Sequence, residues 1–285
     1  SGVIRKEFPE GLRARQGWWP CTKYKRLADF FEAAKLDILH GPANVTPLFY
    51  TGRTVVTVHD LIIYEHPEWF PGGVSDLFWR RFLVPKAIKK ANEVIAVSGY
   101  TKNEVADRFG VDPSQINVVY EGLTVSEVAG DETILTRQEI TKPYFLYVGT
   151  IEPRKNLPRV IAAMARLRKS NPDISLVIAG KKGWKFDYVF ATVKKLNLEK
   201  QVKFCGYIND AEKKALYKNA LGFVFPSLAE GFGLPVLDAM QSGVPVLTSN
   251  NTSLIEVAGE AALKVDPYSV GEIASGLRKI ATDEN

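Results

Sequence analysis

Cysteine is scarce in this chain. Cys21 and Cys205 are the only two in 285 residues, they lie far apart, and neither belongs to a C-x-x-C pair. That excludes a disulfide scaffold and a cysteine-built zinc site, and it fits a reducing compartment. Histidine is equally sparse: His40, His59 and His66 are the full set, too few for a His-rich metal centre. No apolar run approaches the roughly 18 residues that a spanning helix needs. The first residues carry no apolar signal core, so a cytoplasmic setting is expected. Internal repeats and low-complexity tracts are also missing.

What is present describes a folded protein. Apolar residues make up 46% and charged residues 24%, proportions that exclude wholesale disorder. A length of 285 exceeds what one hydrophobic core usually holds, so two domains are expected. The net charge of +5 favours anionic partners: nucleotide phosphates, nucleic acid or an acidic membrane face.

Short β-branched runs alternate with longer amphipathic stretches, the pattern of β-α units around parallel sheets. In the first half the pattern predicts strands at Ile38–His40, Thr54–His59, Glu93–Val97 and Ile116–Tyr120. Helices are predicted at Lys23–Lys35, Ser75–Ala91 and Tyr100–Phe109, the last capped by Ser98. In the second half strands are predicted at Tyr144–Val148, Ser175–Ala179, Val202–Cys205, Gly222–Phe225, Pro245–Leu247 and Ala261–Val265. Helices are predicted from near Asn156, then at Tyr188–Leu196, Asp210–Asn219, Leu234–Ser242 and Ser269–Ile280. Leu157, Val160, Ile161, Met164 and Leu167 have the spacing of one buried helix face. The fold class is therefore α/β, with two Rossmann-like doubly wound domains at 1–121 and 143–285. The Thr-, Glu- and Asp-rich segment 122–142 reads as the linker. Ligands of such sheets bind at the carboxyl ends of the strands.

Two segments carry chemistry. The first runs from Pro226 to Met240, after a buried strand and into a helix. Gly231 and Gly233 allow close backbone approach, and Pro235 suits the first helical turn. Such a helix start seats phosphate. Glu230 in the turn and Asp238 in the helix are carboxylates able to accept paired hydroxyls of a sugar or a ribose. The plainer reading is a tight turn with two solvated acids. The second segment is Gly149-Thr150-Ile-Glu-Pro-Arg154-Lys155-Asn156. Here two cations sit where a helix begins, a placement that its dipole disfavours unless an anion lies between. A diphosphate is the anion expected. The plainer reading is a solvated basic turn.

These motifs resemble the retaining glycosyltransferases of the GT-B fold, family 4, also called glycosyl transferases group 1. The E-x7-E motif of that family appears as Glu230-x7-Asp238. The likeness extends to the stretches Asp37–Asn44, Thr57–Leu61 and Val97–Thr101, and it covers nearly the whole C-terminal half. The GTIEPRKN variant is most similar to a mannosyltransferase branch that builds bacterial surface polysaccharides.

The resemblance implies roles. Glu230 would hold hexose hydroxyls and Asp238 ribose hydroxyls, while Gly231 and the amides of Phe232, Gly233 and Leu234 serve sugar and phosphate. Arg154 and Lys155, beside Gly149 and Thr150, would bind the diphosphate, and Tyr207 would stand where relatives hold the base. His59 would approach sugar and acceptor. The catalytic candidates are thus His59, Glu230 and Lys155. His40 and His66 read as structural or surface residues. Asp238 is one methylene shorter than the usual Glu, and Thr150 stands where many members carry Arg.

The implied partners are a nucleotide-sugar donor, GDP-mannose by the branch, and a saccharide or lipid-linked acceptor. With no D-x-D motif, no metal and no other cofactor is expected. A nucleotide-sugar-binding protein without turnover is the alternative. Trp69–Lys90 mixes aromatics with Arg80, Arg81, Lys86, Lys89 and Lys90, which suggests contact with the inner membrane face; the plainer reading is a core-packed helix with a solvated basic face. No basic motif for nucleic acid accompanies that charge, so no nucleic-acid partner is expected. Against the family pattern the chain looks shortened at both ends. The expectation is an incomplete N-terminal sheet of about four strands with an open edge, covered by a homodimer, and weak activity.

Overall fold

The computed structural model describes residues 21–72, 79–123 and 128–282. The chain divides into two compact units. One comprises residues up to Tyr64 with Gly72–Val119, the other Glu65–Pro71 with Tyr120 onward.

The first unit is built on a four-stranded parallel sheet in the order β1-β2-β3-β4. Its strands are β1 (Leu39–Gly41), β2 (Thr54–Val58), β3 (Glu93–Ala96) and β4 (Ile116–Val118). Val56, Val58, Val94 and Ala96 form its buried centre with Ile88 and Val105 from the helices. Helix α1 spans Cys21–Ala33. The predicted helix at Ser75–Ala91 is split: a π-helical turn at Trp79–Leu83 leads into α2 (Val84–Lys90), and the part at 73–78 lies outside the described residues. Pro85, which has no N–H to give, falls at the start of α2, where none is needed. Helix α3 (Gly99–Phe109) begins as expected: Ser98 Oγ accepts from Thr101 N at 3.0 Å.

The second unit carries a six-stranded parallel sheet in the order β10-β9-β8-β5-β6-β7. Strands β5 (Tyr144–Val148), β6 (Ser175–Ala179) and β8 (Gly222–Phe225) sit where the apolar runs predict. Strand β7 is Val202–Gly206 and β10 is Leu263–Val265. Strand β9 is Val246–Ser249, shifted from the predicted Pro245–Leu247. Pro245 offers the ladder only its carbonyl, which accepts from Phe223 N at 2.8 Å. Helix α4 (Leu157–Leu167) buries all five residues of the predicted face. Helices α5 (Asp187–Lys195), α6 (Asp210–Asn219), α7 (Leu234–Gln241), α8 (Leu254–Ala258) and α9 (Val270–Thr282) complete the layers.

Two segments differ from the sequence reading. Within 122–142, residues Thr133–Arg137 form a helical turn; Ile134 is buried in the core of the second unit and Arg137 pairs with Glu212 of α6. Residues Glu65–Pro71 fold with the second unit. Trp184 Nε1 donates to Trp69 O at 2.5 Å, and Lys185 Nζ to Glu68 O at 2.5 Å.

The strand order positions the candidate site. From β5 the chain moves outward through β6 and β7, then returns to the other side of β5 as β8. The turns leaving β5 and β8 therefore diverge from neighbouring strands, which is where open α/β sheets form a crevice.

Candidate active site

Two turns meet at that crevice. After β5, Gly149 N donates to Ala179 O at 2.9 Å, and a 3-10 turn at Pro153–Lys155 leads into α4. After β8, the chain runs from Pro226 to Gly233 before α7 begins. They are tied through the backbone by Leu228 N, which donates to Arg154 O at 2.7 Å. Asn156, in the left-handed region at φ 61°, adds a second tie. Its Nδ2 donates to Pro226 O at 2.9 Å and to Pro267 O at 2.7 Å, and its Oδ1 accepts from Arg159 at 3.0 Å.

The charged groups converge inside. Arg154 Nη1 lies 2.5 Å from Glu230 Oε2, and Lys155 Nζ lies 2.5 Å from Glu230 Oε1. Lys155 is only 7% exposed and Glu230 only 6%. The conflict of two cations at a helix start is thus resolved by this chain's own carboxylate. Burial alone would raise the Glu230 pKa, but the Lys155 and Arg154 charges outweigh it and hold the carboxyl below its usual range. Burial pulls the Lys155 ammonium below its usual range, against the opposing pull of Glu230. Lys155 Nζ also stands 4.8 Å from the Phe225 ring centroid.

The polar run after β9 turns the carbonyls of the second turn inward. Ser249 Oγ donates to Ser227 O at 2.5 Å and Asn251 Nδ2 to Leu228 O at 2.7 Å. Ser253 Oγ lies 2.8 Å from both Glu230 O and Phe232 O. With those acceptors engaged, the amides of Phe232, Gly233 and Leu234 find no acceptor among the described residues. Gly233 has φ 124°, and a Cβ there would meet Leu254 Cδ2 at 2.7 Å, so only glycine suits the position. Amide donors at a helix start beside two cations make an anion seat.

The other predicted residues lie in different surroundings. Asp238 Oδ2 pairs with Lys213 Nζ at 3.0 Å. Both line a groove of about 770 Å³ with Gly122, Leu123, Asp210, Tyr217 and Leu234. The partners recorded for Asp238 and for Glu230 share no residue. Gly231 is buried, and Thr150 is exposed, its carbonyl accepting from Tyr147 OH at 3.1 Å. Tyr207 follows β7 and is 70% exposed, with Lys181 Nζ 4.7 Å from its ring centroid. Among the described residues no contact joins it to the Arg154–Glu230 cluster. His59 belongs to the first unit, just past β2. Its Nε2 lies 2.8 Å from Pro42 O, and its backbone N donates to Asn44 Oδ1 at 3.0 Å.

Sequence reading overlooked Glu152, Asn156, Ser249, Asn251 and Ser253. Asn156 left a trace, because an Asn between a basic pair and Leu-Pro suits a left-handed residue before a helix. The hydroxyl and amide run Ser249–Ser253 after a buried strand left another.

Comparison with known proteins places this geometry. The family described as glycosyl transferases group 1 matches residues 132–285, and the one described as glycosyltransferase family 4 matches residues 2–127. The chain belongs to the glycosyl transferases group 1. As a member of that family it is 31% identical over 280 residues to O-antigen chain mannosyltransferase B of Escherichia coli, covering 96% of this chain and 70% of that protein. It is 29% identical to O-antigen chain mannosyltransferase RfbU of Salmonella typhimurium, covering 79% of this chain and 60% of the relative. Among solved structures, Anabaena Alr3699/HepE in complex with UDP and glucose superposes with a TM-score of 0.74 at 18% identity, covering 92% of this chain and 72% of that one. WaaG, a glycosyltransferase involved in lipopolysaccharide biosynthesis, gives a TM-score of 0.72 at 20% identity, covering 92% and 73%. The two parallel-sheet units of this glycosyltransferase family member are those of the GT-B fold.

Proposed function

We propose that this chain is a retaining hexosyltransferase. It moves mannose from GDP-mannose to a saccharide or lipid-linked acceptor, with residues 143–285 on the donor side and 1–121 on the acceptor side. The observation that carries the reading is the pair Arg154 and Lys155, held on buried Glu230 beside the three amides of Phe232, Gly233 and Leu234. A diphosphate fits that seat by charge and by donor count. The likeness to O-antigen mannosyltransferases supports mannose as the sugar.

The chemistry follows from the charges. As the bond from the anomeric carbon to the phosphate oxygen breaks, negative charge gathers on the leaving diphosphate. Arg154, Lys155 and the start of α7 are fixed in a site largely closed to water, so they stabilise that charge without reorganising. The acceptor oxygen bonds to the anomeric carbon on the same face, and its proton passes to the departing phosphate. Glu230 orients hexose hydroxyls, Asp238 takes the ribose in the groove, and Tyr207 faces the base. His59 acts on the acceptor side.

Product analysis with a panel of nucleotide sugars tests the reading. Release of nucleoside diphosphate with a glycoside of unchanged anomeric configuration is the expected outcome. Inversion at the anomeric carbon removes the retaining assignment. Donor binding with no product favours a nucleotide-sugar-binding role instead.

A further inference from the structure

Four charged side chains meet between the turns after β5 and β8, and the proposed chemistry uses three. The fourth is Glu152, 3% exposed. Its Oε1 lies 2.5 Å from Arg154 Nε, while Nη1 of the same guanidinium reaches Glu230. That contact with Glu152 is close but not aligned as a hydrogen bond, so the oxygen has none among the described residues. Tyr188 on α5 has a buried hydroxyl that is likewise without a partner there. Burial, and then the Glu152 charge, push the Tyr188 phenol up to about 12. The loop before α5 covers this pocket: Gly183 N donates to Ile151 O at 3.1 Å, and a Cβ on Gly183 would meet Thr150 at 2.7 Å.

The charges of the chain's own side chains in this group cancel. Glu152 and Glu230 balance Arg154 and Lys155. Burial raises the Glu152 pKa, Arg154 and Lys155 oppose that rise, and Glu230 adds to it. Tyr147 and Tyr188 face the group as neutral phenols. Lys182 of the covering loop stands over the rings of Phe186 and Phe190. A diphosphate arriving at Arg154 brings a new anion and draws the guanidinium away. Both changes raise the proton affinity of a buried carboxylate.

We propose that Glu152 is the positioning residue for Arg154 and takes up a proton from solvent when a nucleotide sugar binds, releasing the guanidinium to the diphosphate. The proposal rests on the reading of Arg154 and Lys155 as the diphosphate seat. Once protonated, Glu152 has an O–H to donate, and the buried Tyr188 hydroxyl, which feels the Glu152 charge, has no hydrogen-bond partner among the described residues. The neutral carboxyl needs no counter-charge, so one buried anion fewer competes with the diphosphate for Arg154 and Lys155.

Titration calorimetry with GDP-mannose and with UDP-glucose tests this. Neither ligand has a phosphate group that titrates near neutrality, so any proton exchanged belongs to the protein. Heats are measured at mildly acidic pH in two buffers of different ionisation enthalpy. For the wild-type chain the expected result is uptake of about half a proton or more per donor bound, with affinity tightening as pH falls. Glu152→Gln should bind at least as well, with buffer-independent heat and affinity flat in pH; Glu152→Asp should restore the uptake. Buffer-independent heat in the wild type, or unchanged uptake in Glu152→Gln, overturns the proposal. If neither donor binds the wild type, the diphosphate reading falls and this falls with it; binding without uptake overturns only the role of Glu152. Should the Gln variant fail to fold, the wild-type pH dependence decides: affinity that is flat or weakens on acidification is contrary.

Discussion

Replacing Glu230 with Gln keeps the shape of the side chain and removes its charge. In the structure that charge compensates two cations, Arg154 and Lys155, each at 2.5 Å. Gln can accept from one of them, but its amide nitrogen then faces the other. Removing one partner from a buried ion pair costs about 3–5 kcal/mol. Native stability is typically about 5–15 kcal/mol, so the loss is a large share of it. At about 2–4 °C per kcal/mol for a domain of this size, the melting temperature should fall on the order of 10 °C. Two further results follow. A nucleoside diphosphate supplies the missing anion, so it should bind the variant as well as the wild type or better, and should raise the variant's melting temperature more. The sign of the pH effect is also fixed. The folded Glu230 pKa lies below the ordinary 4.5, so its stabilisation is present above 4.5 and is lost as pH falls through the lowered value. The gap between wild type and Glu230→Gln should therefore close on acidification below that point. Thermal denaturation with and without GDP, repeated across the acid range, provides the assay. A variant melting within about 1 °C of wild type, or losing most of its GDP affinity, would refute the reasoning.

Three other outcomes are expected. Asn156→Ala leaves the Pro226 and Pro267 carbonyls without a donor and strains a left-handed residue; urea unfolding should show a loss of about 2–4 kcal/mol, with Asn156→Gly about 1 kcal/mol milder because it keeps the backbone relaxed. Glu152 has a folded pKa above the ordinary 4.5, so its ionised form costs stability as pH rises through that folded value; Glu152→Gln should melt at or above the wild-type temperature near neutrality, and the two should converge below 4.5. In the first unit, Phe82 is 48% exposed beside the exposed residues Arg81, Lys86 and Lys89; flotation should show preference for acidic over neutral vesicles that salt abolishes, and equal binding to both removes the membrane contact.

How far the sequence could be read depended on the range of each interaction. Strands β5, β6 and β8 are continuous apolar runs, and the Ser98 cap is local, so both were legible. The misplaced cations Arg154 and Lys155 were legible as a conflict. Their resolution was not, because Glu230 follows Lys155 by 75 residues and Arg154 by 76, and reaches them only through the return of the chain to β8 beside β5. Residues Glu65–Pro71 read as part of the first half, yet Trp69 and Glu68 bond to Trp184 and Lys185, a pairing that no periodicity announces. Glu152 was passed over because a lone Glu before Pro-Arg-Lys looks solvated, yet it is buried, with the distant Gly183 of the covering loop packed close to it. The four-stranded first sheet matched its expected strand count among the described residues.

The most direct test of the diphosphate seat compares GDP with guanosine on the wild type and on Lys155→Ala. Calorimetry on the wild type should show GDP bound far more tightly than the nucleoside. Lys155→Ala should lose on the order of tenfold or more in GDP affinity, as expected for one charge-assisted hydrogen bond of about 1.5–3 kcal/mol, and should leave guanosine unchanged. Equal loss for both ligands, or no preference for GDP in the wild type, would contradict the assignment of Arg154 and Lys155 to the leaving diphosphate.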